Sequence, residues 1–231
     1  MPSNLAVSTW REKYPAVEYV APFACFFLFL TASSRHFLNA YWELPIWVLA
    51  LAAICLLCWP RKVAIRLRHP LGSVTVGALV FFLWIAPDVL IPGYRRHFLF
   101  SNSITGHLHS SIRPAELQSA WVLSWRTIRA VLIVPVVEEL FWRGWLMRWL
   151  INPNFQRVPL GQYAPLAFWV TALLFASEHG PYWDVGLVTG VIYNLWMIRT
   201  RSLPDCILMH AVTNGILSGY VVMTGQWQYW Q

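Results

Sequence analysis

Apolar residues dominate seven stretches of the chain, roughly Tyr19 to Ser33, Tyr41 to Trp59, Leu71 to Ile91, Ser119 to Ile151, Ala164 to Ser177, Val185 to Ile198 and Leu203 to Thr224, and polar residues collect between them. A helix needs about 20 apolar residues to cross a bilayer comfortably. Some stretches reach that length and some fall short, so the pattern predicts an all-α, polytopic membrane bundle of about seven to eight helices. The first stretch is expected to stay in the mature protein. It follows the mixed charges Arg11, Glu12 and Lys13 and has no small-residue cleavage site of the signal-peptide kind.

The longest polar tract, "GYRRHFLFSNSITGHLHSSIRPAELQ" from Gly93 to Gln118, is too rich in charge, Ser and Gly to cross a membrane and is expected to be a loop. Its histidines, His97, His107 and His109, have no carboxylate or cysteine company, so they read as solvated surface groups rather than metal ligands. A helical pattern then runs from Leu117 to Leu150 with Pro135 inside it, and a kink is expected there, just ahead of two glutamates. "NPNFQRVPLGQYAP" supplies three prolines and a glycine for a break between Asn152 and Pro165. No repeat or flexible linker is visible, so residues 1–231 are expected to form a single integral membrane domain.

Composition agrees with the pattern. The chain is 58% hydrophobic and 12% charged, with a mean hydropathy of +0.50. A net charge of +7 would suggest nucleic acid in a soluble protein. Here the Lys and Arg residues sit at the ends of apolar stretches, where they orient a membrane protein, and no nucleic-acid partner is expected. With a cytoplasmic N-terminus, ten of the 17 fall on the cytoplasmic side and six opposite, with Arg143 inside; the N-in orientation is expected, in a bacterial cytoplasmic membrane. Cys25, Cys55, Cys58 and Cys206 all lie in apolar stretches and read as packing residues.

The informative residues are the polar ones at membrane depth, which cost about 2.5–3.5 kcal/mol each on insertion scales and persist when paired or used. "VPVVEELFWRGWLMRW" carries Glu138, Glu139 and Arg143. Glu139 and Arg143 are four apart and share a helix face, which predicts an ion pair, whereas Glu138 points about 100° away and has no local cation. An unpaired carboxyl in apolar surroundings is the kind of group that exchanges a proton near neutral pH. Later stretches add His179 in "LLFASEHG" and His210 and Asn214 in "LMHAVTNG". One membrane histidine is ordinarily a packing residue; polar groups on three separate stretches point to chemistry. A carboxylate and an imidazole can activate water, and His and Asn donors can hold an oxyanion, which together make a hydrolase. No serine or cysteine nucleophile stands out. A two-histidine, one-carboxylate metal site at Glu138, His179 and His210 is the alternative use of the same groups, although no HExxH spacing favours it. The stripe Trp142, Trp145 and Trp149 reads as lipid-facing or core.

These motifs resemble those of the CAAX protease and bacteriocin-processing family of intramembrane endopeptidases, also called the Abi family. EExxxR stands as Glu138, Glu139 and Arg143; FxxxH as Phe175 and His179; HxxxN as His210 and Asn214. The resemblance covers a core of about 117–224. It implies a helical bundle around a water-accessible polar cavity and cleavage of a peptide bond near the C-terminus of a membrane-anchored, CAAX-like or otherwise anchored substrate. Glu138 and His179 would activate water, His210 and Asn214 would stabilise the oxyanion, Glu139 and Arg143 would support them, and no cofactor would be needed. A branch associated with protein-sorting systems is the expected one. Non-catalytic interaction or immunity proteins with the same motifs, and a proton-coupled transporter, are the competing readings. Glu178, beside His179, departs from the pattern.

Overall fold

In the computed structural model, residues 10–33, 38–108 and 113–230 are described; Arg35 and His109 lie outside them. Every apolar stretch of the sequence is a helix. In chain order these are α1 (Trp10–Lys13), α2 (Val17–Ser33), α3 (Ala40–Cys58), α4 (Pro70–Leu90), α5 (Ala120–Trp149), α6 (Pro165–Ser177), α7 (Trp183–Thr200) and α8 (Leu203–Thr224). The described residues contain no strand, only an isolated bridge between Asn102 and Gly106. Helices α3, α4, α5 and α8 are long and apolar enough to cross a bilayer, and α2 and α6 are shorter apolar helices. The chain is an integral membrane protein built as a helical bundle.

The boundaries follow from local chemistry. Asn39, Ser119 and Ser202 cap α3, α5 and α8 by accepting from backbone N–H groups of the first turn. Proline occupies the first turn of α4, α6 and α8, where its missing N–H costs nothing. Gly225 closes α8 in the left-handed conformation, φ 69°. The described part of the tract after α4 is the expected loop, with short turns at Tyr94–Arg96 and Pro114–Glu116. In it His97 and His107 are exposed, and His107 Nδ1 lies 2.6 Å from Ser101 Oγ.

Helix α5 departs from a simple span. It widens into π-helical turns at Arg129–Ile133 and Leu140–Leu146, on either side of the two glutamates. Pro135 follows the first of these: a prolyl ring disturbs the preceding turn and supplies no N–H, and the helix accommodates it by change of pitch.

Packing is closest between α4 and α8. A Cβ at Gly77 would lie 2.4 Å from the Met209 carbonyl oxygen and 2.9 Å from Val212 Cβ, so only glycine fits. At the same point Thr213 Oγ1 donates to the Gly77 carbonyl at 2.9 Å and accepts from Tyr193 OH at 2.9 Å. Gly77→Ala is expected to wedge the pair apart and cost about 1–3 kcal/mol, seen as a lower melting temperature in detergent; an unchanged melt would contradict this packing. At one end of the bundle the Asp205 carboxylate accepts from the backbone N–H groups of Arg68 and His69 at 2.8 and 2.6 Å. At the other, Arg95 bridges Asp88 and Asp184. Cys55 and Cys206 are buried among apolar side chains, as small packing residues would be. Trp142 is core, against Phe23 and Phe175, while Trp149 at the foot of the stripe is exposed.

Candidate active site

Glu138 and Glu139 are adjacent on α5 and go separate ways. Glu139 is fully buried. Its Oε1 accepts from Arg143 Nη1 at 3.1 Å, the ion pair that the four-residue spacing predicts, and also from His210 Nδ1 at 2.9 Å. Arg143, equally buried, donates from Nε to Asn194 Oδ1 at 3.0 Å and from Nη2 to the Gly190 carbonyl at 3.4 Å. Its guanidinium lies 4.7 Å from the centre of the Phe175 ring and 5.4 Å from that of Tyr193. Asn194 in turn donates to the Phe168 carbonyl at 2.9 Å. One arginine thus links α5, α6, α7 and α8, with its donors spent on protein acceptors in a fixed fork.

Glu138 makes no hydrogen bond to any described residue, and its Oε2 is buried without a partner. It faces a cavity of about 850 Å³ that is also lined by Glu178, His179, His210 and Asn214. Each polar group that the sequence places at membrane depth on α5, after α6 and on α8 therefore either lines this cavity or belongs to the buried network behind it.

The histidines are oriented by what holds their Nδ1 atoms. His179 Nδ1 lies 2.8 Å from the Phe175 carbonyl oxygen, which can only accept, so Nδ1 carries the proton and Nε2 keeps its lone pair. The ring sits between Trp84 and Phe175, with centroids at 5.1 and 4.8 Å. His210 Nδ1 likewise donates to Glu139, beside Arg143. Asn214 Nδ2 donates one of its two hydrogens to the Ala130 carbonyl at 2.8 Å, which aims its amide and leaves the other hydrogen available. Among the described residues, no three His, Cys, Asp or Glu side chains converge as a metal-binding group.

Three contributors escaped the sequence reading. Asn194 is one polar residue in an apolar helix, and nothing in its spacing ties it to Arg143. The Glu139–His210 bond joins helices 71 residues apart in the chain. Trp84, from the half of the chain without motifs, forms a wall at His179, and Phe26, Phe27, Leu30, Glu43 and Leu44 extend that wall.

Compared with known families, residues 120–216 match the one described as type II CAAX prenyl endopeptidase Rce1-like. The motif-bearing part of this chain is Rce1-like. The matched region begins with α5 and ends inside α8, so it contains Glu138, Glu139, Arg143, His179, His210 and Asn214. Helices α2, α3 and α4 lie outside the match. No curated protein and no solved structure matches the chain.

Proposed function

We propose that this Rce1-like chain is a glutamate-type intramembrane endopeptidase that hydrolyses a peptide bond near the C-terminus of membrane-anchored proteins. The observation that carries the reading is Glu138: a carboxyl with no hydrogen-bonded partner among the described residues, facing a cavity it shares with two oriented imidazoles and an amide. Water between Glu138 and His179 Nε2 would lose a proton to them as its oxygen attacks the scissile carbonyl carbon. The carbonyl oxygen becomes an oxyanion, which the free Asn214 N–H stabilises, together with His210 when its Nε2 carries a proton. Glu139 would balance that imidazolium, with Arg143 holding Glu139 in place. Collapse of the tetrahedral carbon breaks the C–N bond, and the proton taken from water passes to the leaving amine. Trp84 and Phe175 restrict water around His179, which strengthens these interactions.

A metal-bound version is the second reading. Both imidazoles present Nε2 while Nδ1 is held by an oxygen acceptor, the second-shell arrangement common around metal ligands. One experiment separates the two. Purified protein is offered a panel of membrane-anchored C-terminal tails, prenylated and not, with and without a strong chelator. Chelator-resistant cleavage is expected. Cleavage abolished by chelator and restored by a divalent ion would move Glu138, His179 and His210 into a metal site. The N-in orientation and a bacterial cytoplasmic membrane are part of the proposal, checked by the accessibility of cysteines introduced at 62 and 96.

A further inference from the structure

The aromatic wall at His179 has a polar side. His179 precedes and Tyr182 ends the short turn Gly180–Tyr182 that joins α6 to α7, and the Tyr182 N–H donates to the His179 carbonyl at 2.9 Å. On α4, Trp84 and Asp88 are four apart and share a face. These two elements and the loop after α4 bring together four buried polar atoms that have no hydrogen-bond partner among the described residues: Trp84 Nε1, Asp88 Oδ2, Arg95 Nη2 and Tyr182 OH.

The four side chains form a continuous series. Between ring centres, Trp84 lies 5.1 Å from His179 and 6.1 Å from Tyr182. The Arg95 guanidinium sits 4.4 Å from the Tyr182 ring centre. Two of its three nitrogens are engaged, Nε donating to Asp88 Oδ1 at 3.1 Å and Nη1 to the Pro181 carbonyl at 2.7 Å and to Asp184. Tyr229, in the turn after α8, closes the group, with its ring centre 5.4 Å from that of Tyr182 and its hydroxyl beside the Asp88 carboxyl. Arg95 and Tyr182 are only 4% and 3% exposed, whereas the Asp88 and Asp184 side chains keep 15% and 18%. One end of the series is therefore at His179, and the other reaches the bundle surface.

Buried polar atoms in folded chains are ordinarily satisfied by protein groups or by ordered water. This set holds two donors, one carboxylate acceptor and one hydroxyl that is both. An anion would be repelled by Asp88 and a cation by Arg95; water, which donates and accepts, suits all four. We infer that Trp84, Asp88, Arg95 and Tyr182 bind a file of water molecules that supplies the active site from the bundle end where α4 finishes and α7 begins; the supply role rests on the protease reading proposed above. Each hydrolysis consumes one water: its oxygen joins the acyl carbon as the C–N bond breaks, and its two hydrogens end on the ammonium product. A tail bound in the cavity displaces the water there, and Trp84 and Phe175 keep bulk solvent from His179. Replacement water therefore has to arrive from behind the wall. Tyr182 and Trp84 act as positioning residues for it.

Water itself is the probe. Full-length protein in nanodiscs is exposed to short X-ray pulses that split water into hydroxyl radicals, and the oxidation of each side chain, corrected for its intrinsic reactivity, is located by mass spectrometry. Trp84 and Tyr182, although buried, are expected to oxidise severalfold faster than Phe168, which is buried away from the cavity. In Tyr182→Phe, which keeps the ring and loses the hydroxyl, oxidation of Trp84 should fall severalfold while that of Phe175, on the main cavity, stays as it was. The same variant should lose roughly three- to tenfold in kcat with KM and melting temperature unchanged. Trp84 oxidised no faster than Phe168, or as fast in Tyr182→Phe as in wild type, overturns the inference. An unchanged kcat in Tyr182→Phe overturns the supply role even where the oxidation pattern holds. If no tail is cut while Trp84 oxidation depends on Tyr182, the protease reading falls and the water site stands.

Discussion

Glu138→Gln should abolish cleavage and leave the protein as stable as before, or slightly more so. Among the described residues the carboxyl has no hydrogen-bond partner, so its replacement by a neutral isostere sacrifices no bond and removes the cost of holding an uncompensated acid among apolar helices. Loss of a general base lowers the rate by about 10² to 10⁴. The adjacent residue should behave in the opposite way: Glu139→Gln weakens bonds to both Arg143 and His210 and should lower the melting temperature. The readouts are initial cleavage rates and melting curves on the same preparations. Cleavage surviving in Glu138→Gln would sink the glutamate mechanism, and a melt lowered as much as that of Glu139→Gln would make Glu138 a structural residue.

The second large effect is expected at Arg143. Its guanidinium answers Glu139, Asn194 Oδ1 and the Gly190 carbonyl, all buried. Arg143→Met fills similar space but strands a buried carboxylate and two acceptors. Removing one partner of a buried ion pair costs about 3–5 kcal/mol, on the order of 10 °C for a chain of this size. Arg143→Lys should recover only part of that, because an ammonium cannot reproduce the fork. Arg143→Met combined with Glu139→Gln should be more stable than Arg143→Met alone, since the stranded charge is gone. A melt within about 1 °C of wild type for Arg143→Met would show the network to be dispensable.

Much of this was legible in the sequence because the relevant signals are local. The apolar stretches gave the helices, since lipid leaves backbone groups no partners outside the segment. The four-residue spacing gave the Glu139–Arg143 pair, and the isolation of Glu138 was readable from the absence of a cation one turn away. What stayed hidden is what depends on assembly. Asn194 acquires meaning only when α7 packs on α5, and His210 meets Glu139 only when α8 does. In the sequence Arg126 and Arg129 are simply two of the six basic residues counted opposite the cytoplasmic side. That they line the same cavity as Glu138 depends on a change of helical pitch, which residue spacing read at 3.6 per turn cannot register.

That change of pitch bears on how relatives should be compared. A π turn is what remains when one residue is inserted into an α-helix without breaking it, so the segment Arg129–Ile133 holds about one position more than a regular span. A related chain lacking that extra position would align cleanly over the EExxxR motif and then slip by one upstream, with its cationic residues turned out of the cavity by about 100°. Chains sharing all three motifs would in this way divide into two groups by a single-residue gap just before the paired glutamates, and deletion of Ala130 would carry this protein from one group to the other.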